Sequence, residues 1–128
     1  MDVLFVDNDE KICQVIPDIL KQAGLNVDIA CDGKTALEKI KKQSYAVMIL
    51  DHRFPNLYGY TVLERALKID PKIKTVMVSD HGDPSTRSWA KELGAYDFIN
   101  KPFEIGTLIN VVKKALNSAD AKKVTFQV

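Results

Sequence analysis

Residues 46–50, Ala-Val-Met-Ile-Leu, are apolar at every position, and Asp51 follows at once. A half-buried strand alternates apolar and polar residues, whereas an unbroken apolar run has no face to give to water. Such a run is covered on both sides, as a central strand of a parallel sheet is. Four other short segments read as strands: residues 3–6, 25–30, 74–78 and 96–99. Residues 25–30 alternate more and carry Asn26 and Asp28, which suits an edge position.

Between these runs the apolar residues recur at helical spacing. Ile12, Val15, Ile16, Ile19, Leu20 and Ala23 form one stripe, interrupted by Pro17 and stopped by Gly24. Asp32-Gly33 opens a second helix with Ala36, Leu37 and Ile40 inward. Val62, Leu63, Ala66 and Leu67 mark a third, closed by Asp70-Pro71. Asp83-Pro84 reads as cap and first residue of a fourth, which carries Trp89, Ala90 and Leu93 to Gly94. Ile105, Leu108, Ile109, Val112 and Leu116 mark the fifth. Repeated strand–helix units give a parallel sheet with helices on both faces. The expected fold is therefore α/β, a flavodoxin-like doubly wound sheet of five parallel strands in the order 2-1-3-4-5, with five helices. Residues 1–117 form the expected domain, and 118–128, which lack a strong period, a tail or the start of a linker.

The composition narrows the function classes. A chain of 128 residues with 46% apolar and 27% charged residues suits one globular domain. A formal charge of +1 argues against direct nucleic-acid binding, which needs a basic patch. No apolar run is long enough to span a bilayer, and Asp2 borders the first strand, so neither a membrane span nor a secretory leader is expected. Cys13 and Cys31 belong to no metal or redox spacing motif; both are expected as buried free thiols of a cytoplasmic protein.

In the 2-1-3-4-5 order, ligands bind beyond the carboxyl ends of the strands, at the switch point between strands 1 and 3. Asp7, Asn8 and Asp51 fall there, with Ser79 ending strand 4 and Lys101-Pro102 following strand 5. Acids for a divalent cation, a carboxylate nucleophile, a hydroxyl and an ammonium together suit phosphoryl transfer to aspartate. Taken singly, each has a structural reading: Asp7 and Asp51 as turn or cap residues, Ser79 as a strand-end residue, Lys101 as a surface lysine. Asp9 reads as the N-cap of the first helix.

The chain resembles the receiver domain of two-component response regulators, chemotaxis-regulator-like, over residues 2–116. The resemblance rests on Val6-Asp7-Asn8-Asp9-Glu10, on Asp51-x-x-Phe54-Pro55 with Gly59, on Val78-Ser79, and on Gly94-Ala95-Tyr96-Asp97-Phe98-Ile99-Asn100-Lys101-Pro102-Phe103. It implies that Asp51 accepts a phosphoryl group from a histidine kinase or phosphotransfer protein. It also implies that Asp7, Asn8, Asp51 and the Arg53 backbone carbonyl hold Mg2+ (or Mn2+), that Ser79 bonds the phosphoryl group, and that Lys101 neutralises it. Ser79 and Phe98 match the switch pair, and Lys101-Pro102 the cis peptide. A chain of this family is not a turnover enzyme; it catalyses its own phosphorylation and slow dephosphorylation. The face made by helix 4, strand 5 and helix 5 is the implied partner or homodimer surface, with Trp89 at its side and Phe98 moving inward on activation.

The sequence departs from the family pattern at two places. Asn8 stands where a second acid is usual; it keeps an oxygen ligand and loses a charge. Asp80 stands where a very small residue is usual. Arg53, Asp80 and His81 occupy the positions expected to tune phosphoryl lifetime. Two other readings stay open: a pseudo-receiver that binds partners without phosphorylation, and a haloacid-dehalogenase-like phosphatase using Asp7-Asn8-Asp9. Lys11 and the missing acidic pair after Lys101 weigh against the second. His52 and His81 flank the site and suit loop residues better than transition-metal ligands.

Overall fold

The computed structural model describes residues 2–52, 58–80 and 84–127. Five strands alternate with five helices: β1 Val3–Val6, α1 Glu10–Gln22, β2 Val27–Ala30, α2 Gly33–Lys42, β3 Val47–His52, α3 Tyr58–Ile69, β4 Lys74–Ser79, α4 Pro84–Glu92, β5 Asp97–Asn100 and α5 Ile105–Gln127. All pairings are parallel, in the order β2-β1-β3-β4-β5. The expected fold and the edge position of β2 are therefore both observed. Pro17 lies inside α1 without ending it. The helix α5 continues past Asn117, where periodicity had suggested a tail or linker. No Gly or Pro occurs between Gly106 and Val128 to stop it.

Two apolar clusters lie on opposite faces of the sheet. Val3, Phe5, Val47, Ile49, Val76, Val78 and Ile99 pack against Cys13 and Leu20 of α1 and Leu108 and Val112 of α5. Leu4, Val6, Met48, Leu50, Met77 and Phe98 pack against α2, α3 and α4 through Ala36, Ile40, Leu63 and Ala90. Successive residues of each strand thus serve opposite cores, which is why β3 tolerates no polar residue before its end.

The loops are fixed by local chemistry. The Asp9 carboxylate accepts from the Lys11 and Ile12 amides and caps α1, as expected. Asp32 caps α2 by accepting from the Thr35 amide at 2.7 Å. Gly94 has φ +108, and a Cβ there would stand 2.6 Å from Leu67 Cδ1. Only glycine meets both the backbone demand and the close approach of α3.

A polar network closes the β2 edge. The Tyr45 hydroxyl donates to Asp28 Oδ2 at 2.6 Å and accepts from Gln43 Nε2 at 2.8 Å. Lys39 Nζ donates to Asp28 Oδ1 at 2.9 Å and to the Ile29 carbonyl at 2.8 Å. Burial alone raises the Asp28 carboxyl, but the bonds from Tyr45, Lys39 and the Ile29 amide outweigh it and hold the group below its usual range. Burial and the Asp28 charge push the Tyr45 hydroxyl up, so it remains a donor.

Gly94→Ala is expected to lower the unfolding free energy by about 1–3 kcal/mol, read as a lower urea midpoint with an unchanged slope. Tyr45→Phe is expected to cost about 1–2 kcal/mol near neutral pH. The Asp28 contribution is present above its unfolded pKa of about 3.9 and is lost as pH falls through the lower folded value. The difference between Tyr45→Phe and the parent should therefore shrink below about pH 4. A constant difference down to pH 2 would show that Tyr45 does not act through the Asp28 carboxylate.

Candidate functional site

The sheet brings the four singled-out groups to one edge. Val6 pairs with Leu50, so Asp7 and Asp51, each one residue on, lie level on neighbouring strands. Val78 pairs with Asp51 and Asn100 with Ser79, so Ser79 and Lys101 follow one step beyond. The pleat sets the sides. Asp7 and Asp51 continue the positions that face α1 and α5, whereas Ser79 continues those that face α2, α3 and α4.

Burial sharpens the chemistry. Asp7 is 3% exposed and Ser79 fully buried. The Asp51 side chain is 4% exposed, and Lys101 Nζ lies 2.9 Å from its Oδ1. A carboxylate so far from water needs a charged partner, and Lys101 supplies it. Asp7 Oδ1 accepts the Asp9 amide at 2.8 Å. The Cys13 thiol donates to the Asp7 carbonyl at 2.9 Å. Burial, helped by the neighbouring Cys31, pushes Cys13 up to about 12, so it stays a neutral donor. Lys101 donates its own amide to the Ser79 carbonyl at 2.8 Å, tying β5 to β4 at the site. The Lys101–Pro102 peptide is cis, as the resemblance implied.

Two cavities meet at Asp7. One of about 670 Å³ lies between α2 and α3 and reaches Asp7, Asn8 and Asp51. The other, about 480 Å³ and mostly apolar, lies between α1 and α5 and reaches Asp7, Asp80 and Lys101. Asn8 is exposed and borders the first cavity together with both acids. Asp80 is exposed at the mouth of the second. Two buried carboxylates and an amide oxygen are hard oxygen donors, a set that suits Mg2+ completed by water and phosphate oxygens. Among the described residues no group of three or more His, Cys, Asp or Glu converges. Arg53 and His81, expected as a ligand and as tuning residues, lie outside the described residues, as does the expected cap Asp83.

Three sequence expectations need correction or extension. Phe98 is 2% exposed, and Arg87 stands over its ring at 5.7 Å from the centroid. The ring is already inward, because its strand position faces the α4 core, so no inward motion is left for it to make from this state. Cys31 is exposed rather than buried, since it follows the last residue of an edge strand. Trp89, 45% exposed, stacks on the buried Tyr60 at 4.1 Å between centroids, a contact between α3 and α4 that spacing did not reveal.

The chain matches the sequence model of the response regulator receiver domain over residues 3–113. The transcriptional regulatory protein CutR of Streptomyces coelicolor is 31% identical over 113 residues, covering 88% of this chain and 52% of that protein. The receiver domain of NtrX from Brucella abortus superposes with a TM-score of 0.82 at 35% identity, over 91% of this chain and 98% of that one. A CheY-like receiver domain protein from Methanospirillum hungatei superposes with a TM-score of 0.86 at 27% identity, over 94% and 97%. The chain spans between 26% and 62% of the length of the curated relatives it matches. No described helix is long and apolar enough to cross a membrane. With its strand order, its paired Asp51 and Lys101 and its match over residues 3–113, the chain belongs to the response regulator receiver domain family.

Proposed function

We propose that Asp51 is the phosphoacceptor of a two-component signalling protein, fed by a sensor histidine kinase or a phosphotransfer protein. The observation that carries this reading is the buried Asp51 carboxylate held 2.9 Å from Lys101, level with Asp7. A carboxylate oxygen of Asp51 attacks phosphorus; the O–P bond forms, the donor's P–N bond breaks, and the imidazole leaves. Like charges oppose that approach. Asp7, Asn8 and Asp51, with the Arg53 carbonyl that the family resemblance implies, would hold Mg2+, which would supply the charge that relieves it. Mn2+ suits the same oxygens. Lys101 passes from the Asp51 carboxylate to a phosphoryl oxygen, and the Ser79 hydroxyl donates to another.

Ser79 also carries the signal. Its side chain belongs to the α4-facing side of the sheet, where Phe98 sits two residues before its pairing partner Asn100. Drawing Ser79 toward Asp51 removes support from that packing and shifts the population of the α4–β5–α5 face. Each charge-assisted bond is worth about 1.5–3 kcal/mol, enough to change a population ratio about tenfold or more. Phe98 responds by repacking from an inward start. That face is the proposed partner or homodimer surface. Arg53, Asp80 and His81 tune phosphoryl lifetime. Residues 1–117 make the receiver unit, with 118–128 its connector. The protein acts in the cytoplasm, without membrane or direct nucleic-acid contact by this chain, and turns over no substrate beyond its own phosphoryl group.

Intact mass after incubation with phosphoramidate and Mg2+ is expected to rise by one phosphoryl group, and Asp51→Asn to abolish the rise. An undiminished rise in that variant would falsify the assignment; no rise in the parent would favour the pseudo-receiver reading. Asn8→Asp is expected to tighten Mg2+ in a calorimetric titration, because site charge governs affinity for a hard cation. Unchanged or weaker binding would mean that Asn8 does not face the ion. Ser79→Ala is expected to accept the phosphoryl group yet lose most of the Trp89 fluorescence change produced by beryllofluoride. A full change in that variant would remove Ser79 from the switch.

A further inference from the structure

The start of α1 and the end of β2 meet at the backbone of Asp7. From one side the Cys13 thiol donates to the Asp7 carbonyl at 2.9 Å. From the other, the Asp7 amide donates to the Ala30 carbonyl at 3.2 Å, which places Cys31, the next residue, beside the same backbone. The pleat of β2 fixes the side. Val27 and Ile29 pack into the α1-facing cluster that contains Cys13, and Ala30 into the opposite one. One step further, Cys31 returns to the α1 side. The Cys31 thiol is close enough to be among the groups that raise Cys13. Cys13 is buried and Cys31 is exposed, so one sulfur is open to a reagent and the other is positioned to respond.

We propose that Cys13 and Cys31 form a reversible disulfide and that this oxidation alters the phosphoacceptor site through Asp7. The disulfide stands on the two contacts at the Asp7 backbone and the pleat of β2; its effect on phosphorylation rests on the function proposed above. The oxidant is a hydroperoxide. The Cys31 thiolate attacks its O–O bond; an S–O bond forms, the O–O bond breaks, and water or an alcohol leaves after protonation. The Cys13 sulfur then attacks the resulting sulfenic acid; the S–S bond forms, the S–O bond breaks, and the thiol proton leaves with that oxygen as water. Both sulfurs together lose two electrons, and the peroxide gains them. A dithiol reductant reverses the change. Oxidation removes the thiol hydrogen that Cys13 gives to the Asp7 carbonyl. The same Asp7 residue orients the carboxylate that accepts the Asp9 amide, so the acid is displaced.

The test begins with the reduced full chain, treated with hydrogen peroxide under native conditions. A loss of two hydrogens is expected, with tryptic peptides 12–21 and 22–34 linked and released again by dithiothreitol. Cys31→Ser, at an exposed position, should fold normally and give no link. Intermolecular dimers, or a Cys31 sulfinate without a link, would overturn the pairing. For the coupling, the Asp9 amide resonance is expected to shift on oxidation in the parent but not in Cys31→Ser. Phosphoryl uptake from phosphoramidate is expected to slow roughly fivefold, the rate equivalent of one lost hydrogen bond. A linked protein with an unmoved Asp9 amide and unchanged uptake overturns the coupling. If the reduced protein takes up no phosphoryl group, the function proposed above fails, while the linked peptides and the Asp9 amide still decide this proposal.

Discussion

The burial of β3 on both faces governs the rest of the molecule. Met48 and Leu50 serve the core under α2, α3 and α4, while Val47 and Ile49 serve the core under α1 and α5. A polar side chain within that stretch would lose its water without gaining a partner, at a cost of several kcal/mol. Chemistry is therefore excluded from the strand and confined to its end. The parallel arrangement repeats the restriction in β1, while β4 admits one buried hydroxyl, Thr75, before its end. Because parallel strands run in one direction, their carboxyl ends share one edge, and the groups excluded from the core gather there.

That gathering has an energetic consequence. Asp7 and Asp51 lie level and nearly out of water, so two acids share one poorly hydrated edge. Lys101, 2.9 Å from Asp51, offsets part of this charge. Surplus negative charge suits a hard cation such as the proposed Mg2+, and topology rather than a dedicated cage brings these acids together. Asn8 lowers the surplus by one charge without removing the oxygen. Asp80 adds a charge, but at the solvent-exposed mouth of the α1–α5 cavity, where water screens it.

The pleat also connects two faces that the sheet otherwise separates. Asp7 and Asp51 belong to the α1 and α5 side; Ser79 and Phe98 belong to the α4 side. A group bound over the strand ends touches residues from both. In the proposed switch, displacement of Ser79 would be felt on the side of the sheet where Phe98 packs. The Trp89–Tyr60 ring contact joins α4 to α3 on that face. On the opposite face, the Cys13 thiol ties α1 to the backbone of Asp7.

The strand and helix order, the central place of β3, the edge place of β2 and the residues at the strand ends are legible in the residue order alone. These follow from periodicity and from the cost of burying polar groups, which act locally and leave a record in the residue order. Asp9 as a cap was legible for the same reason. Only the tertiary structure decided the partnerships between distant residues. Nothing in the spacing of Asp28, Lys39 and Tyr45 announces a shared network, because their meeting depends on how α2 lies against the sheet edge. Cys31 follows an apolar run and reads as buried, yet the edge strand leaves it exposed. The resemblance implies that Phe98 moves inward on activation, yet its register already places it in the α4 core. The 2.9 Å approach of Lys101 to Asp51 depends on β4 lying between their strands, and no local pattern carries that distance.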